Sequence, residues 1–332
     1  MTPSPAPRPH RRRRIHAAAA ALLTAAALSA PVPAFADGGA VAPSADTEAG
    51  AAGSKPTVVL VHGAFVDASS WNAVVGRLQS NGYRVIAAPN PLRGLPADSA
   101  YIASVLRSVK GPIVLVGQSY GGAVISEAAT GNPNVKALVY VSAFMPDKGE
   151  TLGQLGAKFP GSELNPALVQ LPIKNADGST GTDLYVSPDK FRAVAAADLP
   201  EAATSVAAAA QRPISATAFT DKVTSAAWRT IPSWAAVATN DKAISPDLER
   251  FQAKRAGSHT VEINSSHSVM ISHPDAITHL ILAAARAESG APALAETGLT
   301  TLGRVGAGAA GAMLIAGAGL VVVSRKRSAS RH

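Results

Sequence analysis

The sequence predicts an α/β fold, with a mostly parallel, doubly wound sheet and a helical lid insertion. Short apolar runs alternate with amphipathic helical patterns over most of residues 56–288, which is typical of parallel strands covered on both faces. The alternation stops between about residues 144 and 225 and then resumes, which indicates one insertion. In open α/β sheets, ligands bind beyond the carboxyl ends of the strands, so we expect the insertion to lie over a ligand site as a lid.

The individual strands and helices follow from these runs in chain order. Val, Ile, Leu and Ala dominate the short runs, and the longer patterns between them have helical spacing. The predicted strands are 58–61, 83–88, 113–116, 135–141, 233–238 and 260–263, and the predicted helices are 70–78, 99–109, 122–129, 246–256 and 274–288. The insertion has scattered Pro and Gly, then an Ala-rich helical stretch over 191–210, and no apolar run of the earlier type.

One motif joins a predicted strand to a predicted helix. Residues 117–121 read Gly-Gln-Ser-Tyr-Gly, the Gly-x-Ser-x-Gly pattern in which a strand turns sharply into a helix and presents one serine. Glycine is needed at both ends because the turn is strained and neighbouring backbone comes close. We therefore predict that Ser119 is a catalytic nucleophile.

A serine nucleophile needs a base and an acid that orients the base, and the strand ends supply both. In this type of fold the three residues occur in the order Ser, Asp or Glu, His. Asp241 follows the predicted strand 233–238, and His267 follows the strand 260–263. Both loops lie at the sheet edge that carries Ser119, so we expect His267 to accept the serine proton while Asp241 holds the imidazole tautomer.

Two other residues compete for these roles. His273, beside Pro274 at the start of the last helix, is an alternative base. Asp147, which follows the predicted strand 135–141, is an alternative acid. The sequence leaves both alternatives open.

The loop after the first strand is the candidate oxyanion hole. It reads His62-Gly63-Ala64, and the backbone N–H groups of Ala64 and Tyr120 would point at the developing alkoxide. Gly63 permits the close approach. We expect His62 to be structural and to hold the loop through its ring nitrogens.

The motifs together resemble the α/β-hydrolase superfamily, and within it the group of plant methyl esterases, hydroxynitrile lyases and lidded bacterial esterases. The residues that carry the resemblance are His62-Gly-Ala, Trp71, Gly117-Gln-Ser-Tyr-Gly-Gly, Asp241-Lys-Ala-Ile-Ser-Pro and His267-Ser-Val-Met-Ile-Ser-His-Pro. The resemblance implies catalytic Ser119, Asp241 and His267, oxyanion donors Ala64 and Tyr120, and no cofactor.

Two positions separate the chemistries of this group. Its hydroxynitrile lyases carry Thr directly after the first-loop His and Lys directly after the catalytic His, whereas this sequence has Gly63 and Ser268. Both departures favour a serine esterase that hydrolyses carboxylic esters. A lyase or perhydrolase-type activity on the same triad, and a non-catalytic surface binding module on this fold, are the alternatives.

The charge of the chain is concentrated at its ends. The whole sequence has a net charge of +8, but residues 37–297 hold 20 Lys and Arg against 22 Asp and Glu. A nucleic-acid partner is therefore not expected. The sequence has no cysteine, which excludes disulfides, thiolate metal sites and a cysteine nucleophile.

Residues 1–36 have the pattern of an export signal. Four consecutive arginines precede an apolar stretch and an Ala-x-Ala cleavage pattern that ends at Ala36. We predict cleavage there, followed by a flexible leader over 37–55 and a hydrolase domain over 56–288.

The opposite end resembles a sortase cell-wall sorting signal. A linker over 289–298 ends in Leu-Ala-Glu-Thr-Gly, and residues 299–332 form a hydrophobic span and a basic tail. Residues 305–324 are free of charge and long enough to cross a bilayer. The resemblance implies transient membrane insertion, cleavage by sortase after Thr297, and linkage of Thr297 to peptidoglycan outside the cell. The alternative is a membrane anchor at the cell surface.

Overall fold

The computed structural model describes residues 55–288. The strands are β1 (Thr57–Val61), β2 (Val85–Ala88), β3 (Ile113–Gln118), β4 (Val135–Val141), β5 (Leu168–Lys174), β6 (Thr180–Val186), β7 (Ile214–Ser215), β8 (Ser233–Ala238) and β9 (His259–Ile263). The helices are α1 (Asn72–Ser80), α2 (Leu95–Ser108), α3 (Tyr120–Ala128), α4 (Leu152–Lys158), α5 (Pro188–Ala195), α6 (Glu201–Ala209), α7 (Pro246–Ala256), α8 (Val269–Ser272) and α9 (Pro274–Glu288).

The central sheet has six strands in the order β2-β1-β3-β4-β8-β9, and every pairing in it is parallel. The predicted mostly parallel sheet is therefore confirmed. All carboxyl ends lie at one edge, where β3 leads to Ser119, β8 to the loop of Asp241 and β9 to the loop of His267. This arrangement brings together loops that are far apart in the sequence.

Both faces of the inner strands β1, β3, β4 and β8 are covered, which explains why these strands read as nearly continuous apolar runs. The edge strand β9 is mostly exposed. Alternate side chains of a strand point to opposite faces. Val59 and Val61 of β1 belong to one buried cluster, which includes residues of α2, α3 and α7. Val58 and Leu60 belong to the other, which includes residues of α1 and α9. The sheet is thus doubly wound, as predicted.

The lid insertion differs from the expected helical one. It contains α4, α5 and α6, but also a three-stranded antiparallel sheet in the order β5-β6-β7. The side chains of β5 are mostly exposed, and its sequence Leu-Val-Gln-Leu-Pro-Ile-Lys mixes polar and apolar residues. Strand β5 is stabilised by pairing with β6 and is not buried on two faces. It therefore lacks the wholly apolar run that is typical of a buried strand.

The Ala-rich stretch predicted as one helix over 191–210 is two helices. Helix α5 ends at Ala195, and α6 begins at Glu201 after Pro200. Proline disfavours helical backbone at the residue that precedes it, which explains the break. The short connection between α5 and α6 includes Asp198.

The predicted export signal, the leader up to residue 54, the linker with Thr297 and the hydrophobic span lie outside the described residues. Over residues 55–288, no helix combines the length and the apolar character needed to cross a membrane.

Candidate active site

Ser119 occupies the sharp turn between β3 and α3. Its backbone has φ 55° and ψ −124°, in the left-handed half of conformational space that non-glycine residues seldom adopt. A Cβ atom at Gly117 would lie 2.5 Å from the carbonyl oxygen of Gly121, and one at Gly121 would lie 2.6 Å from that of Val61. The two glycines are required by close backbone, as the sequence motif predicts.

His267 and Asp241 form a buried hydrogen-bonded pair. Asp241 Oδ2 lies 2.6 Å from His267 Nδ1, and the two residues are only 2% and 7% exposed. Asp241 Oδ1 accepts the backbone N–H groups of Ala243 and Ile244, at 2.7 and 2.9 Å, so the carboxylate is fixed in place. A proton on Nδ1 that faces Asp241 leaves Nε2 available as a base.

Ser119 and His267 line the same cavity. No hydrogen bond joins the two side chains among residues 55–288. His267 Nε2 instead lies 3.1 Å from the amide nitrogen Nε2 of Gln118, which can donate to it. This contact has no signature in the sequence beyond the position of Gln118 directly before Ser119. Catalytic hydrogen bonds are often long or badly aligned before substrate binds, so this geometry is compatible with His267 acting as the base.

The two competing residues lie in other environments. Asp147 pairs with Arg229, whose hydrogen bonds lower the pKa of that carboxyl. His273 Nδ1 contacts the hydroxyl of Ser272 at 2.9 Å. Neither Asp147 nor His273 lines the cavity that Ser119 and His267 share.

The two candidate oxyanion donors also line this cavity. Ala64 follows β1, and Tyr120 is the first residue of α3. The first N–H groups of a helix have no acceptor within that helix. Across residues 55–288, neither the Ala64 N–H nor the Tyr120 N–H donates to a protein acceptor, so both are available to a bound oxyanion.

His62 has the structural role expected from the sequence. Its Nε2 accepts the backbone N–H of Asn90, and its Nδ1 donates to the carbonyl of Gly63, both at 2.9 Å. Burial lowers the pKa of His62 to about 4, which keeps the ring neutral. Both ring nitrogens are therefore occupied in holding the loop that carries Ala64.

A second carboxyl lies beside Asp241 and was not singled out from the sequence. Glu249 is 3% exposed, and its Oε2 accepts the backbone N–H of Ala238 at 3.2 Å. Burial and the neighbouring Asp241 raise the pKa of Glu249 well above its usual value, which favours the neutral form of this side chain. An acidic residue near the start of a helix is ordinarily solvated, so the pattern around Glu249 does not indicate a buried carboxyl.

The shared cavity is small and mostly apolar. The lid contributes Leu164, Val186, Phe191, Val194, Ala195 and Phe219 to its wall. The polar residues in the cavity wall are Gln118, Ser119, Tyr120, His267 and Ser268. The space is about 30 Å³, enough for roughly two water molecules. Little open space is therefore left between the lid and Ser119 in this structure.

Among residues 55–288, no group of three or more His, Asp or Glu side chains is placed to hold a metal ion.

Known proteins match this chain in sequence and in fold. Residues 58–280 match the alpha/beta hydrolase family. The chain is 26% identical over 254 residues to the alpha/beta hydrolase nvfD of Aspergillus novofumigatus, an alignment that covers 70% of this chain and 97% of that protein. A stretch of 107 residues, 28% of this chain and 38% of the relative, is 33% identical to a pyrethroid hydrolase of Sphingobium wenxiniae.

Solved structures show the same fold. Polyneuridine aldehyde esterase superposes with a TM-score of 0.60 at 21% identity, over 69% of this chain and 99% of that one. The family match spans well over half of the sequence, and it agrees with the resemblance carried by the motifs. The chain belongs to the alpha/beta hydrolase family.

Proposed function

We propose that this protein is a serine esterase that hydrolyses carboxylic esters through an acyl-enzyme on Ser119. The observation that carries the proposal is the buried His267–Asp241 pair, whose histidine lines the same cavity as Ser119. Relatives named as a pyrethroid hydrolase and as an esterase support hydrolysis.

Each step uses a group already described. His267 Nε2 takes the Ser119 proton while the serine oxygen attacks the ester carbonyl. The N–H groups of Ala64 and Tyr120 stabilise the tetrahedral oxyanion. His267 gives this proton to the departing alcohol oxygen as the acyl-enzyme forms. A water molecule, deprotonated by His267, then attacks the acyl carbonyl, and the proton passes from His267 to Ser119 Oγ as the acid leaves.

The wall of the cavity supports an apolar substrate. Phe144, Phe191 and Phe219 surround the space next to Ser119, with few polar groups to fix a charged or strongly hydrated acyl chain. We therefore expect esters with small to medium apolar acyl groups.

The lack of space for a side chain at Gly63 favours ester hydrolysis over cyanohydrin cleavage. A Cβ atom at this position would lie 2.5 Å from Gln118 Oε1 and 2.6 Å from the Cβ of Ser119. The Thr that hydroxynitrile lyases of this group carry here would therefore not fit without rearrangement. The other lyase position is Ser268, whose hydroxyl donates to the carbonyl of Ala195.

The test is hydrolysis of p-nitrophenyl esters of increasing acyl length by the wild type and by Ser119→Ala. We expect the variant to lose at least about 1000-fold in kcat, and Ser104→Ala, which removes an exposed helical serine, to keep it. A fluorophosphonate should label the wild type and Ser104→Ala but not Ser119→Ala. Near-wild-type turnover by Ser119→Ala would refute the mechanism, and a wild type that resists labelling would favour the binding-module alternative.

We also propose that the protein acts outside the cell, attached to peptidoglycan through Thr297 after removal of residues 1–36. The support is the order of the sequence features at the two ends. Peptide mass spectrometry of surface protein should find a new N-terminus at Asp37 and a cell-wall fragment on Thr297. Retention of residues 299–332 would contradict wall attachment and support a membrane anchor.

A further inference from the structure

The loop that carries His267 is tied to the lid by one carboxylate. Asp198 lies between α5 and α6, and its Oδ2 accepts the Ser265 hydroxyl at 2.8 Å and the Ser266 backbone N–H at 3.1 Å. Its Oδ1 accepts the Ser266 hydroxyl. Ser265 and Ser266 are almost fully buried and directly precede His267.

A second contact holds the residue that follows His267. The Ser268 hydroxyl donates to the carbonyl of Ala195 at 2.8 Å. The residues immediately before and after His267 therefore both bond to a lid segment of four residues, 195–198. The same part of the lid forms the wall of the cavity through Val194 and Ala195.

Asp198 is charged where it meets these donors. Burial opposes ionisation, but the hydrogen bonds from Ser266 and Ser265 outweigh it and lower the pKa of Asp198. Hydrogen bonds to an ionised acceptor are stronger than neutral ones. The bonds from Ser265 and Ser266 therefore restrict the loop more than a neutral acceptor at this position would.

We propose that Asp198 is a positioning residue that fixes His267 for proton transfer from Ser119, so that the lid completes the catalytic geometry. This inference rests on the proposed esterase mechanism. Asp198 touches neither the nucleophile nor the cavity. It acts through Ser265 and Ser266 on the placement of the imidazole.

The experiment compares Asp198→Ala with Asp189→Ala. Asp189 is an exposed acid on α5 whose carboxylate accepts the nearby Ser187 hydroxyl, so its removal controls for loss of a lid charge. A misplaced catalytic group can cost up to about 100-fold in rate. We expect Asp198→Ala to lower kcat on p-nitrophenyl butyrate by about 10- to 100-fold with KM little changed, and to slow fluorophosphonate labelling of Ser119 in parallel. Asp189→Ala should match the wild type.

Further variants separate positioning from folding. Ser266→Ala removes one donor and leaves Asp198 in place. In the double variant Asp198→Ala/Ser266→Ala, the increase in activation free energy should be smaller than the sum of the increases in the two single variants. Asp198→Asn keeps one acceptor oxygen and should recover part of kcat. If Asp198→Ala fails to fold, a normal kcat in Ser266→Ala and in Asp198→Asn would overturn the inference.

The outcomes distinguish this inference from the proposed function. An inactive Ser119→Ala together with an Asp198→Ala as active as Asp189→Ala would overturn the positioning role alone. A raised KM with unchanged kcat would also overturn it, because that result would make Asp198 part of substrate binding. An active Ser119→Ala would instead refute the mechanism on which the inference rests.

Discussion

The amide nitrogen of Gln118 lies 3.1 Å from His267 Nε2, the atom that takes the proton of Ser119 in the proposed mechanism. Gln118 also donates to the backbone carbonyl of His267 at 3.4 Å. The resting base is therefore occupied by the residue that precedes Ser119. Since Nε2 has one lone pair, the Gln118 contact must break before Ser119 can donate to it.

Replacement of Gln118 by Ala should therefore have a modest effect on catalysis. The lost hydrogen bond is absent from the transition state, so we expect kcat/KM on p-nitrophenyl butyrate to change by less than about tenfold. Gln79→Ala, at an exposed position of α1, is the control. A loss of about 100-fold or more would be typical of a missing oxyanion donor and would assign the Gln118 amide to that role instead.

Two matched amide substitutions test which carboxylate is the acid of the proposed triad. Asp241→Asn removes the charge that faces His267 and should lower kcat by about 1000-fold or more, because the imidazole loses its tautomer and its counter-charge. Asp147→Asn breaks the ion pair with Arg229, outside the cavity, and should leave kcat within about twofold, since an exposed ion pair contributes little. The reverse pattern would make Asp147 the acid. Both variants can be measured by steady-state kinetics on the same ester.

Glycine at the turn after Ser119 should be far less replaceable than glycine on an open helix face. A Cβ atom at Gly121 would lie 2.6 Å from the carbonyl oxygen of Val61 and 2.9 Å from that of His62. We expect Gly121→Ala to lower the free energy of unfolding by about 1–3 kcal/mol and to disturb the loop of Ala64. Gly76 in α1 has nothing within 4 Å of such an atom, so Gly76→Ala should stabilise the protein by about 0.5–1 kcal/mol. Urea unfolding of both variants tests the contrast, and equal effects would contradict it.

The sequence predicts the parts of the site that depend on local pattern. The turn at Ser119 is specified by glycines within two residues of it, and the clashes at Gly117 and Gly121 give the physical reason. Asp241 and His267 each follow a predicted strand, and the carboxyl ends of parallel strands lie at the same edge of the sheet. The positions of Ser119, Asp241 and His267 directly after predicted parallel strands therefore predict that they lie at one edge of the sheet.

The parts that the sequence does not predict depend on contacts between distant segments. Nothing near Asp198 indicates that its partners are Ser265 and Ser266, which lie 67 and 68 residues further along the chain. The strand β5 is exposed and exists through its pairing with β6, so its pattern resembles that of a loop. The position of Gln118 directly before Ser119 places it at the site. Its contact with His267 depends on the fold of β9 and the loop that follows it.

Glu249 makes the stability of the protein depend on pH. Its pKa in the folded protein is raised well above the ordinary value of 4.5 by burial and by Asp241. Between these two values the folded state holds a proton that the unfolded chain has released. The stabilising contribution is therefore complete below pH 4.5 and is lost as pH rises through the folded pKa, at no more than about 1.4 kcal/mol per pH unit.

Glu249→Gln keeps a neutral side chain of the same size and removes this titration. We expect its unfolding free energy, relative to the wild type, to rise as pH increases above 4.5 and to level off once the folded pKa of Glu249 is passed. The comparison also cancels the contribution of Asp98, whose pKa is raised by burial in both proteins. Glu201→Gln, at an exposed position at the start of α6, controls for the loss of a surface carboxylate. Urea unfolding at several pH values measures the difference, and a Glu249→Gln curve parallel to that of the wild type would show that Glu249 is ionised beside Asp241.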